Sequence, residues 1–294
     1  MKNSKILIIG KNGQLAQALL AEAKLLNLTN IFAFDRTELN VLDLAKLDQV
    51  ITNLKPDLVI NTSAALVMAE CESNPYQAFD VNFLAVRNLA RLCRNRQALF
   101  ISFSSDYVFA GRNNCLNSEA DRPQPLQIYG LSKLAGEDAA LAVYPEGAYV
   151  IRTCGLYGGL TGSPAKGNFV LNILKESREN KAFMEVSSEQ IVSPTYAPDL
   201  ARAVFALLQL DAPKGLYHLV NEGSCSWYEF TREIFNLTNT KTDLRPIDRA
   251  GYSSNSNRPQ FSALSNTKAK ALGIILPTWQ EGLKSYLEFL RTNK

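Results

Sequence analysis

The sequence predicts an α/β protein organised as a doubly wound parallel (Rossmann) sheet, and two observations carry that prediction. Short apolar runs alternate with helical patterns from Lys5 to Arg152, the order that a parallel sheet covered by helices requires. The first run, Lys5-Ile6-Leu7-Ile8-Ile9, leads straight into a glycine-rich turn and then a helix, the order that a dinucleotide pyrophosphate site needs. With 294 residues, 46% of them hydrophobic, the chain can bury such a sheet in one large domain or two modest ones.

The first strand is rich in Ile, as a strand buried on both faces should be. In the turn Gly10-Lys11-Asn12-Gly13-Gln14-Leu15-Ala16, Gly10 allows a tight bend and Gly13 lets the backbone approach phosphate oxygens. Asn12, Gln14 and Leu15 lie where the helix start offers free N–H groups, and Ala16 is small enough for helix–strand packing. The second strand, Ile31-Phe32-Ala33-Phe34, ends at Asp35-Arg36. An acid about twenty residues past the glycines suits the adenosine ribose of NAD, whereas an arginine suits the 2′-phosphate of NADP. Both residues are present, so the choice between NADH and NADPH is left open. Asp43-Leu44 suits either a backbone contact to adenine or, for Asp43, a helix N-cap.

The third strand, Pro56 to Asn61, closes on Thr62-Ser63-Ala64-Ala65, small residues over which a cofactor can lie flat. A helix is expected from about Ala78 to Arg94, with Asn82 on it. The fourth strand, Ala98 to Phe103, runs out into Ser104-Ser105-Asp106-Tyr107-Val108-Phe109. Ligands of such sheets bind at the carboxyl ends of the strands, where Ser105 falls. Tyr129-Gly130-Leu131-Ser132-Lys133 then starts the next helix. Residues four apart share a helix face, so Tyr129 and Lys133 point the same way. A free phenol titrates near about 10, and an ammonium group beside it favours the phenolate. Such a pair can pass a proton to or from an alcohol oxygen.

Composition excludes several alternatives. A net charge of +3 gives no reason to expect nucleic acid. Five cysteines with no C-x-x-C argue against a disulfide framework or zinc site and fit a reducing compartment. His218 is the only histidine, so a His-based triad or a multi-histidine metal centre is hard to build, and no metal site is expected. There is no signal peptide and no membrane-length apolar run, which predicts a cytoplasmic location with no membrane partner.

Together, the Gly-x-x-Gly-x-x-Ala turn, Asn61 to Ala65, Ser104 to Phe109 and Tyr129-x-x-x-Lys133 resemble the extended short-chain dehydrogenase/reductase family. Downstream, Ser193 to Ala201, Gly215 to Leu219, Ser226 to Phe230 and Arg258 to Leu264 resemble the dTDP-4-dehydrorhamnose reductase group within it. The resemblance implies hydride transfer from NADPH or NADH to C4 of a nucleotide-linked 4-keto-6-deoxysugar, giving dTDP-L-rhamnose. It implies Tyr129 as proton donor, Lys133 as the group that lowers the Tyr129 pKa and holds the nicotinamide ribose, and Ser105 as the hydroxyl on the keto oxygen. Val67, Tyr107, Gly155 and Arg258 are then expected at the substrate. Asp106 is expected either there or as a loop-closing acceptor, and Trp227 either on a base or in the core.

The resemblance also implies a smaller C-terminal substrate-binding domain, formed by about 153–182, 209–243 and 269–294. Residues 1–152 with about 183–208 and 244–268 would form the nucleotide-binding body. It allows a homodimer. Two departures bear on the substrate: Gly155 stands where the group often carries Trp, and Leu66-Val67-Met68-Ala69-Glu70 lacks the usual pattern. The loop from Leu160 to Gly167 is expected to be mobile, with Lys166 meeting a phosphate or solvent. The resemblance leaves open another nucleotide-sugar reductase or an epimerase. It also leaves open a non-catalytic regulatory subunit like the methionine adenosyltransferase beta subunit, which has a similar Ser-Ser-Asp-Tyr-Val-Phe segment.

Overall fold

Ile6–Ile9 (β1) is buried at every residue, as an Ile-rich run between two helical layers must be. The computed structural model describes residues 3–112, 114–160, 167–179, 182–248 and 257–293. From β1 the chain passes through Gln14–Leu25 (α1), Ile31–Phe34 (β2), Leu44–Leu54 (α2) and Leu58–Asn61 (β3). Met68–Ser73 (α3), Pro75–Phe79 (α4) and Ala85–Asn95 (α5) follow, with a π-turn at Asp80–Leu84 between the last two. The helix expected from Ala78 to Arg94 is therefore a longer run with one widened turn, and Asn82 lies in that turn. Leu99–Ser105 (β4) ends in a short 3₁₀ turn at Asp106–Val108, and Ile128–Val143 (α6) leads to Ala148–Thr153 (β5).

Beyond β5 come Leu156–Tyr157 (β6), Phe169–Glu176 (α7), Phe183–Ser187 (β7), Ile191–Val192 (β8), Thr195–Tyr196 (β9) and Ala197–Gln209 (α8). Gly215–His218 (β10), Cys225–Ser226 (β11), Trp227–Thr238 (α9), Asp243–Ile247 (β12), Thr267–Ala271 (α10) and Trp279–Thr292 (α11) complete the described elements. Six strands form one parallel sheet in the order β10-β5-β4-β3-β1-β2. The order reverses beside β1, so the carboxyl ends of β1, β3 and β4 open on one crevice. One core packs α1 and α8 on one face of this sheet, and another packs α2, α5 and α6 on the other. A third core joins α7, α9 and α11 and is rich in aromatic rings, with Tyr157, Phe230 and Tyr286 buried in it.

The division expected at about 183–208, 209–243 and 244–268 differs from the strand pairing. Gly215–His218 pairs with β5 and so extends the large sheet, although 209–243 was expected in the smaller body. Phe183–Ser187 and Asp243–Ile247 pair with each other outside that sheet and pack on α9, although both were expected in the larger body. The physical reason is the order of burial. β10 supplies Tyr217, and the residue after it Leu219, to the first core, while β7 supplies Met184 and Val186 to the third. No helix among the described residues is long and apolar enough to cross a membrane.

Candidate active site

The glycine turn is built by close approach. Gly10 has φ +95°, and a Cβ there would lie 2.7 Å from Thr62 Oγ1, so only glycine lets β1 pass this close to the end of β3. Gly13 is the N-cap of α1 and offers no side-chain acceptor, which leaves the first-turn amides to an outside anion. Gln14 turns away and donates from Nε2 to the Leu156 carbonyl at 2.9 Å, while the Leu15 side chain is buried in the core. Their expected contact with a cofactor thus falls to their backbone. Asn12 is exposed and donates to Asp35 Oδ2 at 3.3 Å, and Arg36 beside it is exposed.

Asp43 is a helix N-cap, accepting the Lys46 N–H at 2.9 Å, and Leu44 begins α2. The Asp43 backbone N–H donates to the Asn40 carbonyl at 3.0 Å. Ser63, Ala64 and Ala65 form the half-buried floor beyond β3. Asn82 fixes this floor: its Oδ1 accepts the Ala65 N–H at 3.0 Å, and its Nδ2 donates to the Ala65 carbonyl at 2.9 Å and to Ser132 Oγ at 3.0 Å. The π-turn therefore ties the β3 loop to α6, and π-turns recur at functional positions for this kind of reason.

α6 comes close to its neighbours at two glycines. A Cβ on Gly130 would meet the Tyr107 carbonyl at 2.1 Å, and one on Gly136 would meet the Asn82 carbonyl at 2.1 Å. This packing brings Tyr129 beside Ser105 and against the Tyr107 ring, whose centroid lies 6.0 Å away, edge to face. Lys133, one turn on, is buried. Burial pushes the Tyr129 phenol up, while a hydrogen bond with Ser105 draws it back and the charges of Asp106 and Cys71 raise it further. Burial outweighs the acidifying effect expected of Lys133, so the net shift of the phenol is upward. Desolvation dominates at both groups, and it pulls Lys133 down to about 8 against the opposing effects of Glu137 and Cys71. The phenol is therefore protonated at neutral pH.

Glu137, which helps to keep Lys133 charged, is itself held by Arg152. The guanidinium bonds both carboxylate oxygens, at 2.9 and 3.0 Å from Nε and 2.6 Å from Nη2. Arg152 Nη1 reaches His218 Nε2 at 3.4 Å, and His218 Nδ1 meets the Asn117 carbonyl at 3.2 Å. Burial and Arg152 drive His218 down to about 3, so the imidazole is neutral and structural.

Asp106 is the loop-closing acceptor of the two roles expected for it. It is buried, accepts from Ser105 Oγ at 3.0 Å and from Ser262 Oγ at 2.6 Å, and is pushed up by desolvation. Both of its carboxylate oxygens are thus already engaged within the protein. The Ser262 bond carries the segment after Arg258 to the end of β4. The half-buried Arg258 stands close enough to Tyr107 to lower a phenol that burial raises. Val67 is the half-buried residue that starts α3. Gly155 has φ +53°, and its Cβ position lies 3.1 Å from the Trp227 ring, so an indole reaches this point from α9. Trp227 is half-buried against Phe169, with centroids 4.3 Å apart, in the third core. Lys166 and residues 161–166 lie outside the described residues, as do 249–256 of the polar stretch after Asp248.

Sequence reasoning missed Ser132, Ser262, Glu137 and Arg152 as members of this corner. Ser132 lies inside the Tyr129–Lys133 motif, and Glu137 lies four residues past Lys133, so helical spacing was the available signal for both. Nothing local marks the other two. Among the described residues no group of His, Cys, Asp or Glu is arranged to hold a metal.

A parallel doubly wound sheet with a glycine turn after β1 and a Tyr–Lys pair on the helix after β4 defines a dinucleotide-dependent oxidoreductase of the short-chain type. The RmlD substrate binding domain family model matches residues 4–292, and the chain belongs to that family. It is 32% identical to the spore coat polysaccharide biosynthesis protein SpsK of Bacillus subtilis, over 97% of both chains. A dTDP-4-dehydrorhamnose reductase structure from Clostridium acetobutylicum superposes with a TM-score of 0.92 at 31% identity, covering 98% of this chain and 99% of the other. One from Bacillus anthracis, in complex with NADP, superposes with a TM-score of 0.91 at 30% identity and the same coverage.

Proposed function

We propose that the protein reduces the C4 keto group of a nucleotide-linked 6-deoxysugar with NADPH or NADH, converting dTDP-4-dehydrorhamnose to dTDP-L-rhamnose. The observation that carries this reading is the pairing of a protonated Tyr129 phenol with the Ser105 hydroxyl at the carboxyl end of β4. The names of the relatives matched along the whole chain support it.

The uncapped start of α1 and the Gly10 cradle fit a dinucleotide pyrophosphate, with Asp35 at the adenosine ribose and Ser63 to Ala65 along the nicotinamide half. When bound, the reduced nicotinamide supplies the hydride. Ser105 turns its hydroxyl from Asp106 to the keto oxygen and orients it, and Tyr129 gives that oxygen its proton. Lys133 stabilises the phenolate left behind and bonds the nicotinamide ribose. Charge on the oxygen grows as the reaction proceeds, so donors fixed beforehand favour the transition state over the ground state. Tyr107, Val67, Gly155 and Arg258 face the sugar nucleotide, with the Arg258 guanidinium on the diphosphate. Asp106 keeps its loop-closing bond from Ser262.

The test is to mix the protein with dTDP-4-dehydrorhamnose and NADPH or NADH, follow nicotinamide oxidation and identify the sugar. Oxidation with dTDP-L-rhamnose as product is expected. Interconversion of sugars without net oxidation would make the protein an epimerase. Dinucleotide binding without turnover on any nucleotide 4-keto-sugar would make it a regulatory subunit.

A further inference from the structure

The end of β2 gathers four charged side chains. Lys11 Nζ donates to Glu38 Oε2 at 2.6 Å and lies 3.7 Å from Asp35 Oδ2. Glu38 Oε2 also accepts the Asp35 backbone N–H at 2.9 Å, so this carboxylate is anchored to the turn it guards. Asp35 Oδ1 accepts from the Thr37 N–H at 2.9 Å, the Thr37 hydroxyl at 2.6 Å and the Glu38 N–H at 3.1 Å. Its other oxygen, Oδ2, faces Asn12 and Lys11. Arg36 is exposed alongside. A ribose hydroxyl here needs an acceptor, whereas a 2′-phosphate needs cations that can turn towards it. The glycine turn supplies such a cation in Lys11, and Glu38 holds it.

We infer that Glu38 selects the cofactor: by engaging Lys11 it favours the unphosphorylated ribose of NADH over the 2′-phosphate of NADPH. The inference rests on the reading that a dinucleotide occupies the glycine turn. A 2′-phosphate in this corner meets the carboxylates of Asp35 and Glu38 before Lys11 can answer it. Hydrogen bonds from Thr37 and the Glu38 N–H hold Asp35 at about 2, and Lys11 with the Asp35 N–H lowers Glu38, so both acids are ionised at neutral pH. The Glu38 contact in turn raises Lys11. The groups are partly exposed, with side-chain exposures of 30% for Lys11 and 44% for Glu38, so the selection is modest and weakens with salt.

The test is equilibrium titration of NADH and NADPH, with 5′-AMP and 2′,5′-ADP as fragments, against the wild type, Glu38→Gln, Lys11→Met and the double variant. The wild type is expected to bind NADH the more tightly. Glu38→Gln keeps an acceptor for the Asp35 N–H, and it should tighten NADPH and 2′,5′-ADP by about fivefold while NADH moves by less than about twofold. Adding Lys11→Met should abolish that gain. An unchanged NADPH-to-NADH ratio in Glu38→Gln, or a wild type that prefers NADPH, overturns the inference. Equal weakening of both cofactors also overturns it, since that is the result a purely structural turn cap would give. A wild type that binds neither dinucleotide removes the underlying reading and the inference with it.

Discussion

The two ends of the crevice are built in opposite ways. At the glycine turn the chemistry is local and solvent-facing: Lys11, Asn12, Asp35 and Glu38 bond among themselves within two short loops. At α6 it is buried and assembled from distant segments, with Tyr129, Ser132 and Glu137 held by Ser105, Asn82 and Arg152. A binding end of this kind is tuned by exchanging surface charges, each worth little. A reacting end has few such adjustments, because each polar group there is desolvated and a missing partner is costly.

That contrast can be broken in three places, taken from the largest effect down. Tyr129→Phe should lower kcat by about 10²–10⁴-fold while dinucleotide affinity holds, because only the general acid is lost. Near-normal turnover in steady-state assays would remove Tyr129 from the mechanism. Arg152→Met strands a buried Glu137 carboxylate and should destabilise the fold by about 3–5 kcal/mol in urea unfolding. Replacing both partners by apolar residues should recover much of that loss, and failure to do so would mean that the pair does more than satisfy itself. The smallest effect is on pH. Lys133 titrates at about 8, so kcat/KM should be level below that pH and fall above it as the ammonium is lost. The same shift affects stability. The folded-state pKa lies below the ordinary value of 10.5, so the buried charge costs stability below about 8 and the cost fades as pH rises towards 10.5. A rate that climbs through pH 8 would contradict this assignment.

How far the sequence could be read follows the same contrast. The parallel strands were legible because Ile6–Ile9, Leu58–Asn61 and Leu99–Ser105 are apolar runs between helical patterns. Gly10, Asp35, Tyr129 and Lys133 were legible because local spacing places them. The Asp106–Ser262 bond was not, since its partners lie 156 residues apart and no periodicity links them. The strands β6, β8, β9 and β11 have two residues each, too few to show alternation. The expected division also differs from the strand pairing at β7, β10 and β12, since pairing between distant strands leaves no local signal. The extent to which burial raises the Tyr129 phenol was not legible for a related reason. Helical spacing shows that a cation is near, but the degree of desolvation depends on the whole fold.

Gly136 sets how closely α6 lies against the Asn82 carbonyl. A methyl group at position 136 would lie 2.1 Å from the Asn82 carbonyl in the widened turn at Asp80–Leu84, so one of the two elements would have to move. A side chain there would force α6 away from the Asp80–Leu84 turn, and with it the Ser132 hydroxyl that Asn82 holds.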